Sequence, residues 1–165
     1  MVTILLCLYS WGRNARYVKN IYRKPNSYRI KRFAPRLISP SYGRGFTADF
    51  AKNAGGANLG PAPPELILAA YAGCVGSLGR IIAMQDKITL HGMSFEVEAD
   101  YDPDCLLGRA TTARAGFQEM RLKVKIDADL DDAGKQAFLD KIEERCPVGD
   151  NLVNATQLVT VLDTE

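Results

Sequence analysis

The chain has 165 residues, enough for one domain with a sizeable core, and its 47% apolar and 24% charged residues are ordinary for a soluble globular protein. Four cysteines, at positions 7, 74, 105 and 146, form no C-x-x-C pair, and His91 is the single histidine. A metal site and a disulfide framework are therefore unsupported, and reduced thiols in a cytoplasmic protein are the expectation. The net charge of +2 hides an asymmetry: ten Lys or Arg and no Asp or Glu precede Asp49, which leaves 11 basic residues against all 19 acidic ones in the remainder.

Residues 1–26 read as a basic N-terminal extension or a first strand. Met1 to Trp11 is apolar, but it lacks the leading positive charge and small-residue cleavage site of a secretory signal and is too short to span a bilayer. An acid-free basic stretch also fits an organellar transit peptide or a nucleic-acid arm; the plainer reading is a segment whose charge is complemented by the acidic body. Residues 27–33 and 45–50 alternate apolar with polar side chains and read as two short strands, separated by turn chemistry at Pro35, Pro40 and Gly43.

The stretch from Gly55 to Glu65 is a Gly/Pro loop that runs directly into an apolar helix. Pro63 and Pro64 preset φ where a missing N–H costs nothing, and Glu65 complements the dipole of the first turn. No polar face interrupts the helix before Arg80, and the apolar run of roughly fourteen residues falls short of the ~20 needed to cross a bilayer. Small residues (Ala69, Ala70, Ala72, Gly73, Gly76, Gly79) allow close backbone packing. The expectation is a central, fully wrapped helix carrying Cys74 and ending near Lys87.

Beyond a turn at His91-Gly92, Phe95, Val97 and Ala99 alternate with Glu96, Glu98 and Asp100, the pattern of a half-buried strand. A loop with Asp102, Pro103, Asp104 and Gly108 follows, and then Leu122, Val124 and Ile126 alternate with Arg121, Lys123 and Lys125. The basic outer face of this second strand can pair across with the acidic outer face of the first. Asp131-Asp132 caps a helix with Phe138, Leu139, Ile142 and Cys146 on one face. Pro147 ends that helix and suits the first turn of another, so Cys146 falls at a helix-to-helix junction. Residues 157–162 read as a closing β-rich segment. No internal repeat appears, and no linker after residue 26.

A thiol reacts as thiolate, so the chemical question is what lowers its pKa. Free N–H groups of the helix after Pro147 would stabilise an anion at Cys146. Cys74 lies too deep in its helix for that helix's own dipole and needs a cation from elsewhere, such as an arginine of the first fifty residues. Cys7 and Cys105 read as small buried hydrophobes.

Several stretches together resemble the OsmC/Ohr family. They are residues 46–49, Gly55-Gly56, the run from Gly60 through Pro61, Pro63-Pro64-Glu65 and Leu66 to Ala70, then Ala72-Gly73-Cys74, Gly116-Phe117, and Arg145-Cys146-Pro147-Val148 with Asn154. The matching features lie in the family's order across roughly residues 27–162. The resemblance implies an α+β fold with N-terminal β-strands, a central buried helix, antiparallel strands and a second helix. It also implies an intertwined homodimer in which the central helices pack together. It implies peroxiredoxin-type chemistry with no cofactor and no metal, with organic hydroperoxide as substrate and an external dithiol as reductant. Cys74 would become a sulfenic acid and condense with Cys146 to a disulfide. The peroxidase branches carry their catalytic carboxylate ten positions before the cysteine, where this chain has Pro64. Glu65, nine before, resembles the broader OsmC-like branch and is equally readable as a plain helix-start residue. The family's arginine comes from the N-terminal sheet, and Arg36 and Arg44 are both candidates. The alternatives are a non-catalytic dimer of this fold that binds a small apolar or sulfur-containing ligand, and, more weakly, a nucleic-acid arm. Neither reading involves a membrane.

Overall fold

A computed structural model describes residues 2–7, 36–38 and 45–164. The long helix α1, Pro63–Asp86, lies across one face of an antiparallel sheet made of β1 (Val2–Cys7), β4 (Leu90–Asp100) and β5 (Glu119–Ala128), with β4 in the centre. β2 (Arg36–Ile38) and β3 (Gly45–Thr47) form a separate two-stranded antiparallel sheet. Two further helices, α2 (Asp132–Glu144) and α3 (Pro147–Val153), pack against α1. The strand expected at 27–33 lies outside the described residues, and the one expected at 45–50 is confined to Gly45–Thr47.

The period-two pattern of β4 dictates its two faces. Met93, Phe95, Val97 and Ala99 are buried against Leu68, Ala72, Val75 and Ile82 of α1, with Phe138 and Ile142 of α2 completing the core. On the outer face the sequence expectation of charge pairing holds. Glu96 lies opposite Lys123 and Glu98 opposite Arg121, with Lys123 Nζ 3.4 Å from Glu96 and Arg121 bridging to Asp100 at 2.8 Å and Glu119 at 3.1 Å. These pairs are exposed, so they set register more than they add stability.

The Gly/Pro loop before α1 owes its shape to Asp49, a carboxylate only 5% exposed. Its Oδ2 accepts the backbone N–H of Ala57 at 2.9 Å and of Leu59 at 3.1 Å, while its own N–H donates to the Pro61 carbonyl. The chain passes so close to itself that a Cβ at Gly56 would sit 1.9 Å from the Phe50 carbonyl oxygen, and one at Gly60 1.9 Å from that of Thr47. The loop delivers Ala62 as the N-cap of α1. Glu65 Oε2 accepts the Ala62 N–H at 2.8 Å, half of a capping box, with Pro63 and Pro64 in the first turn. At the far end Lys87 adopts a left-handed conformation (φ 59°) and closes the helix onto the Ala83 carbonyl, as the sequence placed it.

Two expectations for α1 are corrected. It runs 24 residues, so by length and composition it is long and apolar enough to cross a bilayer; the fourteen-residue estimate stopped at Arg80, yet the apolar pattern continues through Ile81, Ile82, Ala83 and Met84. Nor is it fully wrapped by the described residues. The small residues divide: Ala72, Gly76 and Gly79 face inward, and a Cβ on Gly79 would meet Met93 Sδ at 2.6 Å. Ile67, Ala70, Gly73, Ser77, Ile81 and Met84, at helical spacing, leave the opposite face open, with Met84 73% exposed and nothing within 4 Å of a Cβ at Gly73.

The C-terminal segment is a third correction. Residues 157–162 pair with no strand among the described residues, and Leu158, Val159, Val161 and Leu162 are all exposed. Cys105 is a fourth: it sits exposed in the turn after β4 rather than buried.

Asp49→Ala is expected to destabilise the fold by ~2 kcal/mol or more, because two backbone donors lose a charged acceptor. A lowered urea midpoint at unchanged slope would register this, and an unmoved midpoint would show that the loop is not tied by Asp49. The His91 ring lies at the bulge that opens β4, with Nε2 2.8 Å from Asp129 Oδ1. Hydrogen bonding to Asp129 and its charge hold the imidazole above its ordinary pKa of 6.5 and the Asp129 carboxyl below its ordinary value. Any stability from this pair is complete below the unfolded histidine value and is lost as pH rises through the raised folded one. Since His91 is the one histidine, its NMR titration is unambiguous, and Asp129→Asn is expected to lower the midpoint towards 6.5.

Candidate functional site

Cys74 is carried by the middle of α1, half-buried, and Cys146 by the junction of α2 and α3, 1% exposed. Pro147 provides the break: it occupies the first turn of α3, and Cys146 becomes its N-cap with extended backbone angles. The Cys146 sulfur then accepts the Gly149 N–H at 3.3 Å, the anion-favouring contact the sequence led us to expect.

The two thiols lie close together. Cys146 lies near enough to Cys74 to raise its thiol, and the backbone N–H of Val148 acts on the Cys74 sulfur in the opposite sense. Consecutive N–H groups of one helical turn, Val148 and Gly149, therefore address the two sulfurs of the pair. The sequence argument assigned that turn to Cys146 alone; the contact of Val148 with Cys74 depends on how α3 docks on α1, which no local pattern carries.

Electrostatics at Cys74 run against activation by this chain's own described residues. Burial pushes its thiol above the ordinary value, the Val148 N–H pulls it back, and the hydrogen bond and charge of Cys146 raise it again. No cation is among the groups that shift it. Tyr71, one turn earlier on the same side of α1, is likewise raised, by burial first and then by the charges of Glu143, Cys146 and Cys74.

Glu65 is not brought to the thiols. Nine residues of helix turn it to the opposite side of α1 and place it about 13 Å along the axis from Cys74. Its carboxylate is engaged at the Ala62 N–H. Arg36 lies in β2, and Arg44 lies outside the described residues.

Cys146 also borders a cavity of about 700 Å³. Ile67 and Tyr71 of α1, Phe117 before β5, Arg114, and Gly149 and Asp150 of α3 contribute to its wall. Cys74 does not line it. The mouth carries Glu119, Glu143, Glu144 and Asp150 against the one guanidinium of Arg114. The only early signal was the Gly116-Phe117 pair, legible as a motif and not as a wall.

The chain matches solved structures throughout the described fold. It is similar to an OsmC-like protein from Mycoplasma pneumoniae, with 18% identity and a TM-score of 0.66 over 82% of this chain and 91% of that one. It is similar to an organic hydroperoxide resistance protein from Legionella pneumophila, with 21% identity and a TM-score of 0.60 over 81% and 91% of the two chains. The organic hydroperoxide resistance protein OhrB of Bacillus subtilis matches at 20% identity and a TM-score of 0.53 over 82% and 94%. At these identities the likeness establishes the fold. No curated protein matches the chain. The family model for OsmC-like proteins matches residues 55–161, which holds both thiols, α1 and the sheet strands β4 and β5, and the chain belongs to the OsmC-like family.

Proposed function

We propose that the protein is a cytoplasmic, homodimeric thiol peroxidase that reduces organic hydroperoxides without a cofactor. The observation that carries this reading is that Cys74 and Cys146 pack in the same core, close enough for Cys146 to perturb the Cys74 thiol. The Cys74 thiolate attacks the O–O bond and takes one oxygen as sulfenic acid, and the alcohol departs with a proton. The Cys146 sulfur then attacks the sulfenic acid, water leaves, and the disulfide is returned to two thiols by an external dithiol. Apolar surroundings favour an organic peroxide over hydrogen peroxide. Glu65 contributes by starting the helix that carries Cys74.

Reduced protein treated with one equivalent of an organic hydroperoxide is expected to lose the mass of two hydrogens as a Cys74–Cys146 disulfide, and Cys74→Ser to lose turnover roughly a hundredfold or more. A variant that keeps its turnover, with no disulfide in the parent, would end the enzyme reading.

The activating cation in this reading is an arginine of the basic N-terminal segment. A raised Cys74 thiol alkylates slowly at neutral pH and faster as pH climbs, and a guanidinium beside it moves that profile to lower pH. One of Arg36→Ala and Arg44→Ala is therefore expected to shift the Cys74 alkylation profile upward in pH and cut the peroxidase rate. Two unshifted profiles would remove both residues from the site.

A second copy of the chain is the occupant we assign to the open face of α1, whose central positions are small or apolar. Ile81→Glu is expected to convert a dimer to monomer by light scattering, whereas an unchanged mass would place the interface elsewhere.

The raised Cys74 thiol specifically favours a second reading, a non-catalytic dimer binding a small apolar or sulfur-containing ligand. Under it both thiols alkylate slowly at neutral pH and stay unlinked after oxidation.

A further inference from the structure

The two thiols of the pair open in different directions. Cys146 borders the 700 Å³ cavity, and Cys74 does not. Cys74 is half-buried on a helix whose open face lies away from the core, one residue from the uncovered Gly73. The cavity's approach to sulfur runs past Gly149, whose side-chain position would be 3.5 Å from Cys146 Sγ and 3.4 Å from the Tyr71 ring. Cys146 is only 1% exposed, and a larger residue at 149 would add further cover on this side of its sulfur.

From this arrangement we infer that the reductant enters through the cavity and attacks Cys146 rather than Cys74, and that the acid-rich mouth selects an uncharged or cationic thiol. The inference rests on the disulfide cycle proposed above and adds to it which sulfur is attacked and by what. The entering thiolate forms a bond to Cys146 Sγ as the Cys146–Cys74 bond breaks, and the electron pair leaves on Cys74, which takes up a proton. A second thiol then attacks the reductant's sulfur in the mixed disulfide and releases Cys146, so that two thiols become one disulfide while the protein regains both of its own. The fold supports Cys74 as the leaving group. The Val148 N–H is placed to stabilise the departing Cys74 thiolate. Of the charged groups at the mouth, Glu119 is paired with Arg121, and Glu143, Glu144 and Asp150 outnumber Arg114, so an anionic thiol approaches against the local field.

The test begins with the intact protein oxidised by diamide and, in parallel, by an organic hydroperoxide. Oxidised protein is pulsed with 2-mercaptoethanol, quenched in acid, alkylated and mapped by peptide mass. The mixed disulfide is expected on Cys146, in roughly tenfold or greater excess over Cys74. Equal or greater labelling of Cys74 overturns the inference. After correction for thiolate fraction, 2-mercaptoethanesulfonate is expected to reduce the protein several-fold more slowly than 2-mercaptoethanol, with the gap closing at high salt. Equal rates at low salt overturn the charge selection. Gly149→Val, which keeps the backbone N–H and covers the sulfur, is expected to slow reduction by about tenfold, and an unchanged rate in folded protein counts against entry by this route. A disulfide formed by diamide but not by hydroperoxide removes the peroxidase reading and leaves this inference standing; failure of both oxidants to form one removes both.

Discussion

Cys146 ends one helix and begins the next, and the thiol pair depends on that break. Its N–H closes the last turn of α2 onto the Glu143 carbonyl at 3.1 Å, and its own carbonyl accepts the Asp150 N–H of α3 at 2.8 Å. Pro147 cannot donate into the preceding helix, so the chain must turn there, and the turn exposes free N–H groups where two sulfurs are stored. Had α2 simply continued, Cys146 would be one more apolar residue on its inner face beside Phe138 and Ile142. The break converts a core residue into a cap, and the docking of α3 on α1 brings the cap to Cys74.

Most residues that carry the family likeness hold the scaffold and not the chemistry. Asp49, Gly56 and Gly60 close a loop in which backbone passes against backbone, and Pro63, Pro64 and Glu65 start the helix that the loop delivers. Glu65 illustrates the division. A carboxylate near the start of the cysteine helix reads equally as catalytic group or cap, and the observed geometry uses it as a cap. In the proposed cycle the chemistry falls to Cys74, Cys146 and the backbone of two residues after Pro147.

The exposed apolar surface also follows one logic. α1 buries one face on β4 and leaves a second at helical spacing open, while the segment after α3 carries Leu158, Val159, Val161 and Leu162 into solvent. Contiguous apolar surface of this kind marks an interface more often than a monomer's normal exterior. The same open face lies beside Cys74.

The sequence by itself determined the elements whose cause is local: the loop and start of α1, its end at Lys87, the two faces of β4 and β5 with their charge pairing, the Asp131 cap, and the Cys146-Pro147 junction. Each follows from φ restriction, capping or a period of 2 or 3.6 residues, all of which act within a few positions of the chain. It misjudged how far the apolar run of α1 continues past Arg80, the wrapping of that helix by the described residues, the β-rich end and the burial of Cys105, because these depend on which surfaces find partners. Only the tertiary structure decided that Cys74 lies beside Cys146, that Val148 addresses Cys74, and that a cavity is lined by Cys146 and not by Cys74. Those relations join residues tens of positions apart, and they are set by how α3 and the Gly116 loop close over α1, where no periodicity along the chain can register them.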